Sequence, residues 1–371
     1  MEQKIKVLHL VESFAGGVFF VIQQICNNID LNKFEVSIAY SYRPETPDNL
    51  EDYFDPRIHL IPLEMVRHIS LYRDLKSGIE IYKLLKQIKP DVLHLASSKA
   101  GVLGRVFALP TKINRIFYSP HGYSFLMENT LPAKRKIYYG TEKLASLLPG
   151  KIIACSETEA QYTRKLAGTQ KTVLINNGID LDEIDRINRA NSSSTESDTV
   201  QKIHIITVGR VEPQKGPETF IHVAQNLKKK HGDNIHFTWV GDGVLRSKLQ
   251  NHCPDVEITG WLERTEVIRK VSAADIYIQT SKWEGLPLTI LEAMALSKPV
   301  VATNIIGNKD AVSHGFTGYL CNHESAFITE LDKLILSAEL RKKLGRAGRK
   351  RAEENFSLQE MIKKITDCYT T

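Results

Sequence analysis

The sequence predicts an α/β protein built from two doubly wound, parallel-sheet domains, and three observations lead there. At 371 residues the chain is long for one domain and comfortable for two. Short apolar runs rich in β-branched residues alternate with segments of helical period along most of its length. The residues able to do chemistry gather just after those runs, where open α/β sheets place their ligands.

In the first half, Lys4–Glu12 reads as a buried strand, followed by Ser13-Phe14-Ala15-Gly16-Gly17-Val18 and a helix signal through Asn28. A glycine pair between strand and helix lets a ligand approach the backbone, or simply makes a tight turn. It is not the G-x-G-x-x-G fingerprint, which speaks against a dinucleotide-dependent dehydrogenase. Val36–Tyr40, Ile58–Pro62, Val92–Ala96 and Ile116–Ser119 read as further strands, with a helix from about Tyr72 to Ile88. Pro120-His121-Gly122 ends one of them, a position from which a histidine can meet a ligand. Leu131–Leu148 mixes Lys134, Arg135, Lys136 and Lys143 with Leu131, Ile137, Tyr138 and Leu144. Such a stretch is either an interfacial amphipathic helix or a surface helix packed on its own sheet, and the second is preferred. Lys151–Cys155 reads as the last strand of this half, and Asn191–Thr199 as an exposed loop.

In the second half, Ile203–Val208 leads into Gly209-Arg210-Val211-Glu212-Pro213-Gln214-Lys215-Gly216. Arg210 offers a planar fork of donors and Lys215 a compact charge, a combination suited to a diphosphate. Phe237–Val240 runs into the turn Gly241-Asp242-Gly243. Trp261, in Ile258–Leu262, packs either on a ligand or in the core. Asp275–Gln279 and Pro299–Thr303 read as strands flanking a helix whose first turn holds Pro287. Uncapped N–H groups and the positive end of that helix suit a phosphate. Glu284 stands just before the helix, and Glu292 lies roughly 7–8 Å along its axis from Pro287 at ~1.5 Å per residue. Carboxylates on both sides of an anion site fit a ligand with hydroxyls on both sides of its phosphates, as in a nucleotide-sugar.

The spacing Glu284-x7-Glu292, with its continuation E-G-L-P-L-T-I-L-E-A-M-A-L-S-K-P-V-V-A-T, resembles the E-x7-E motif of retaining glycosyltransferases of family 4. The segments G-R-V-E-P-Q-K-G, I-T-G-W-L, N-G-I-D and D-V-L-H-L-A-S-S-K-A-G are similar to blocks of the same family. In the last, Ala96 replaces a histidine, so no catalytic role is assigned there, while Ser98 and Lys99 open a helix. The resemblance implies the GT-B fold, two Rossmann-like domains facing each other across a cleft. It sets an acceptor-side domain at 1–177, with the helix 356–371 packing back on it, and a donor-binding domain at 178–355. Glu284 and His121 would be catalytic. Donor contacts would come from Gly16, Gly17, Arg210, Lys215, Leu262, Gly285, Leu286, Leu288, Thr289 and Glu292. It further implies retention of configuration with neither cofactor nor metal, and a nucleotide-sugar, most simply a UDP-sugar, as donor. The acceptor would be a glycan or polyprenyl-linked precursor of a cell-surface polysaccharide such as capsule or O-antigen.

Composition agrees. The five cysteines are scattered without metal-ligand spacing, no apolar run is long enough to span a bilayer, and the N-terminus enters a strand directly. The expectation is a cytoplasmic protein. A net charge of +6 suits anionic substrates or peripheral contact with an anionic inner membrane face, and no nucleic-acid motif is present. A glycoside hydrolase would have no use for Arg210 and Lys215 beside its carboxylates. A nucleotide-sugar epimerase of the same architecture needs an extra acid–base pair that the sequence lacks, and a non-catalytic nucleotide-sugar-binding protein need not keep all five of Glu284, Glu292, Arg210, Lys215 and His121.

Overall fold

The computed structural model describes residues 3–66, 68–127, 130–192 and 202–371. The chain divides into two compact units, one of Met1–Asn177 with Gln359–Thr371, the other of Gly178–Leu358.

The first unit runs β1 (Ile5–Val11), α1 (Gly16–Asn28), β2 (Phe34–Tyr40), β3 (His59–Pro62), α2 (Leu71–Ile88), β4 (Val92–Ala96), α3 (Ser98–Ala108), β5 (Arg115–Ser119), α4 (Pro132–Ala145), β6 (Lys151–Ala154), α5 (Glu157–Ala167) and β7 (Thr172–Leu174). Its described strands form one parallel sheet in the order β3-β2-β1-β4-β5-β6-β7. The order reverses between β1 and β4, which makes their carboxyl ends the ligand-binding position of this sheet. Strand β1 from Val7 onward and all of β4 are buried on both faces, as parallel sheets require.

The second unit runs α6 (Leu181–Ser192), β8 (Ile203–Val208), α7 (Pro217–His231), β9 (Ile235–Val240), α8 (Arg246–His252), β10 (Glu257–Ile258), α9 (Arg264–Ala273), β11 (Ile276–Gln279), α10 (Leu288–Ala295), β12 (Val300–Thr303), α11 (Asn308–Ala311), β13 (Gly318–Cys321), α12 (Glu324–Leu336) and α13 (Ala338–Asn355). Its parallel sheet has the order β10-β9-β8-β11-β12-β13, reversing between β8 and β11. Phe220, Phe237 and Trp239 stack edge-on at its centre, with the Trp239 indole N–H donating to the Gly209 carbonyl at 2.8 Å.

The last helix, α14 (Leu358–Thr370), belongs to the first unit from Gln359 onward. It begins later than the expected residue 356. Phe356 and Ser357 break the chain out of α13, with Ile179 donating to the Phe356 carbonyl and Leu358 to that of Ile179. Tyr369 is fully buried, its hydroxyl 2.6 Å from His94 Nδ1 and its carbonyl accepting from Arg115. Beside it, His9 stacks at 5.1 Å on His94, and neither His9 ring nitrogen has a hydrogen-bond partner among the described residues.

Two sequence expectations are corrected. Lys151–Cys155 is not the last strand of its half: β7 follows and pairs in parallel with β6. Three residues running into Asn176-Asn177-Gly178 are too short for a periodicity signal. Of the expected loop at Asn191–Thr199, Asn191 and Ser192 end α6, and 193–199 lie outside the described residues.

Candidate functional site

The second unit's groups assemble at its switch point. Arg210 and Lys215 follow β8, Glu284 follows β11, and these strands are neighbours. Three hydrogen bonds tie their loops together: Thr280 Oγ1 donates to the Lys215 carbonyl (2.8 Å), Lys282 N to that of Gln214 (2.8 Å), and Gln214 Nε2 to that of Trp283 (3.1 Å). Gly216 makes this approach feasible. Its φ is +63°, and a Cβ there would lie 2.1 Å from the Thr280 carbonyl oxygen, so no other residue fits.

The result is a polar chain. Lys215 Nζ lies 2.6 Å from Glu284 Oε1, which also accepts from Gln279 Nε2 at 3.0 Å. Gln279 is buried, and its carbonyl oxygen accepts from the Tyr277 hydroxyl at 2.8 Å. The tyrosine thereby fixes which end of the amide faces the carboxylate. Burial pushes the Tyr277 phenol above its usual range, which keeps it a donor. Arg210 is half-buried, 3.3 Å from Glu212.

Helix α10 opens beside Glu284. Pro287 takes the cap position and α10 begins at Leu288, one residue after the expected first turn. No side chain caps it; the Ile290 and Leu291 N–H groups donate to the Pro287 carbonyl, which leaves those of Leu288 and Thr289 and the positive dipole end to meet an anion. Gly285 and Thr289 are half-buried there; Leu286 and Leu288 are buried and anchor the loop. Gly307 packs under the turn, where a Cβ would come 2.3 Å from the Gly285 carbonyl oxygen at a φ of +84°. Glu292, one turn further, is 6% exposed and 2.5 Å from Arg264 Nη1. Arg264 also reaches Glu183 of α6 at 3.1 Å. Burial disfavours the guanidinium, but the two carboxylates outweigh it and raise its pKa above the usual value. Leu262 sits half-buried between Gly260, which bridges to Gly241 after β9, and the start of α9. Trp261 is 63% exposed, which excludes the core alternative.

In the first unit, Gly16 starts α1 with a φ of +54°, and a Cβ at Gly16 or Gly17 would meet nothing within 4 Å. Packing therefore does not demand these glycines; the backbone conformation and open approach at Gly16 do. His121 adopts φ +53° at the end of β5, held by Gly122, whose N–H donates to buried Glu159 at 2.7 Å. The same glutamate accepts from Cys155 N at 2.7 Å, joining the ends of β5 and β6. His121 Nε2 is buried without a hydrogen-bond partner among the described residues, and burial lowers the imidazole pKa to about 4. It is a neutral ring at pH 7. Lys99 is engaged elsewhere, at 2.6 Å from both Asp74 and the His68 carbonyl.

Sequence reasoning missed Gln279, Tyr277 and Arg264, whose partners are distant in sequence or only two to five positions away on a strand end. It also missed Glu12, which pairs with Arg43 and accepts from Ser97 at the β1/β4 switch point. Ser97 holds an unusual φ of +81°, a strain of the kind that collects at functional sites. Among the described residues, no group of three or more His, Cys, Asp and Glu side chains could hold a metal ion, and no helix is long and apolar enough to cross a membrane.

Comparison with known proteins agrees with the two-unit parallel-sheet fold. Residues 15–183 match the family described as Glycosyltransferase Family 4, and residues 189–351 the one described as Glycosyl transferases group 1. An Escherichia coli protein named UDP-Gal:alpha-D-GlcNAc-diphosphoundecaprenol alpha-1,3-galactosyltransferase is 29% identical, over 99% of this chain and 97% of that one. A Staphylococcus aureus protein, the capsular polysaccharide biosynthesis glycosyltransferase CapM, is 26% identical over 87% of each. Among solved structures, sucrose-phosphate synthase from Thermosynechococcus elongatus superposes with a TM-score of 0.81 over 98% of both chains at 18% identity. Anabaena HepE in complex with UDP gives 0.78 over 99% of this chain and 100% of that one at 17% identity. With its two parallel-sheet units of GT-B architecture, the chain carries a Glycosyltransferase Family 4 domain followed by a Glycosyl transferases group 1 domain and is a glycosyltransferase.

Proposed function

We propose that the chain transfers a hexose, with retention of configuration, from a UDP-sugar to a polyprenyl-linked or glycan acceptor at the inner face of the plasma membrane, in the making of a surface polysaccharide. One observation carries the reading: Lys215 and Glu284 meet at 2.6 Å at the β8/β11 switch point, beside an uncapped helix that ends its first turns on Glu292. Cations, free N–H groups and a pair of carboxylates are what a diphosphate flanked by two sets of hydroxyls requires.

In this reading the second unit binds the donor and the first serves the acceptor. The bond from the anomeric carbon to the diphosphate breaks, and its electron pair leaves with the phosphate oxygen. Arg210, Lys215 and the α10 N–H groups stabilise that growing charge. An acceptor hydroxyl forms the new glycosidic bond and gives up its proton to the departing diphosphate oxygen. Glu284 holds sugar hydroxyls, oriented by Gln279; Glu292 holds the ribose, oriented by Arg264. His121 and the Gly16-Gly17 backbone serve the transfer from the first unit, His121 as a neutral hydrogen-bonding group. Leu262, Gly285, Leu286, Leu288 and Thr289 shape the donor pocket, and no metal or other cofactor takes part. The Escherichia coli and Staphylococcus aureus relatives are named as transferases, which favours transfer over epimerisation or binding alone.

Product analysis tests this. The purified protein is incubated with UDP-hexoses and a diphosphopolyprenyl-linked sugar, and the mixture is read by mass spectrometry. A hexose added to the acceptor with release of UDP is expected. An isomerised donor, or an unchanged mixture across UDP-sugars and acceptors, overturns the proposal.

A further inference from the structure

Three neighbouring helices of the first unit turn large apolar side chains outward. Helix α4 buries Glu142, 5% exposed, and Ala145, while Ile137 is 61% and Leu144 70% exposed. Leu131, Tyr139 and Leu147 beside them are exposed too. The glutamate is held inside by the Tyr118 hydroxyl at 2.9 Å, so its burial is a stable, satisfied arrangement. Helix α3, which packs against α4, buries Arg105 against the Tyr118 ring and exposes Val106 and Leu109. Helix α2, packed against α3, exposes Leu71, Leu75 and Ile79 along one stripe at i, i+4, i+8, with Ile69 and Tyr72 at its start. Large exposed apolar side chains are scarce in the second unit by comparison: Val244, Trp261, Phe316 and Leu336, on separate elements. A soluble surface of this size scatters such residues singly; a contiguous set marks a docking face.

Charge decides the occupant. The exposed ionic groups interleaved with these side chains are nearly all cations: Arg73, Lys76, Lys83 and Lys86 on α2, and Lys134, Lys136 and Lys143 on α4. Of the three acids on these helices, Asp74 is paired with Lys99, Glu142 is buried and Glu80 is half-buried; at the edge of the face, exposed Glu64 lies 4.0 Å from Lys76, and the cations still outnumber the acids. Such a face repels a second copy of itself and attracts an anionic one. Apolar side chains to enter an interface, ringed by lysines to meet negative headgroups, are the two signals that together give stable peripheral binding. We propose that the outer face of α2, α3 and α4 docks on an anionic lipid bilayer. This deepens the transferase reading, on which it rests for its purpose: a polyprenyl-linked acceptor lies at that surface.

Vesicle flotation tests the face without donor or acceptor. Wild-type protein should float with mixed phosphatidylglycerol–phosphatidylcholine vesicles and bind pure phosphatidylcholine, or the mixed vesicles in high salt, about tenfold less. Ile137→Glu with Leu144→Glu, and separately Lys134→Glu with Lys136→Glu, should each lower binding about tenfold at an unchanged thermal midpoint, since all four side chains are exposed. Phe316→Glu in the second unit should not change it. Absence of wild-type binding, or full binding by the Ile137→Glu/Leu144→Glu protein, overturns the proposal. So does a dimer that the same variant dissociates in the absence of vesicle binding, which would give the face to a second copy. The UDP-induced thermal shift, measured on the same samples, reports on the donor site independently.

Discussion

Lys215→Met lowers the turnover number at saturating donor about a hundredfold or more, some ~2.7 kcal/mol of transition-state stabilisation, while the fold is retained. The reason is placement. Lys215 is fixed at the end of the β8 loop by Gly216 and the Thr280 hydrogen bond, so its charge needs no reorganisation as the diphosphate departs. It also partners Glu284. Its loss therefore removes a cation and leaves the carboxylate facing the leaving group. Arginine would not restore the rate, because a longer planar head cannot occupy a 2.6 Å contact made by a compact ammonium. Initial rates of UDP release check this, and a variant within about threefold of wild type would remove Lys215 from the transition state.

The first unit is expected to lose stability steeply on mild acidification. Burial lowers the pKa of His9 to about 3 and of His121 to about 4, and that of His94 falls well below 6.5 through burial first and then the neighbouring His9 and His121. In the unfolded chain all three titrate near 6.5. Between pH 6.5 and the folded-state values the unfolded chain therefore binds protons that the native unit does not, so stability rises with pH there and falls as pH drops through 6.5. Each imidazole removes roughly 1.5–2 kcal/mol between pH 7 and pH 5, with the loss complete only below the folded-state values. Urea midpoints across that range measure it. His9→Phe, which deletes a ring whose nitrogens have no hydrogen-bond partner among the described residues, should flatten the slope; a pH-independent midpoint from 7 to 5 would refute the account.

Much of this fold was legible because both sheets are parallel and covered on both faces, so each inner strand is a plain apolar run ending where chemistry begins. The block from Glu284 to Glu292 was legible for the same reason: strand end, loop and helix start are contiguous. Arg264 was not, since its partners Glu183 and Glu292 come from two other helices and only tertiary packing joins them. Gln279 and Tyr277 read as strand residues, and nothing local says that one orients the other. Helix α4 shows a limit of a different kind. Its mixture of lysines and leucines was visible, but which face turns inward was set by Glu142 and Tyr118, a pair 24 positions apart. The preferred reading of a surface helix packed on its sheet holds for Glu142 and Ala145, whereas the leucines point out.

The central claim, that the second unit holds a nucleotide-sugar diphosphate between Arg210, Lys215 and α10, is tested most directly by thermal shift against UDP-, GDP- and ADP-sugars. The wild type is compared with Arg210→Ala and Glu292→Ala, each against its own ligand-free baseline. Ligand at ~100 times its dissociation constant adds about 2.7 kcal/mol. For a unit of this size that is several degrees. A UDP-selective shift of that size, lost in both variants, is the predicted result. No shift of the wild type with any nucleotide-sugar, or an undiminished shift in both variants, would contradict it.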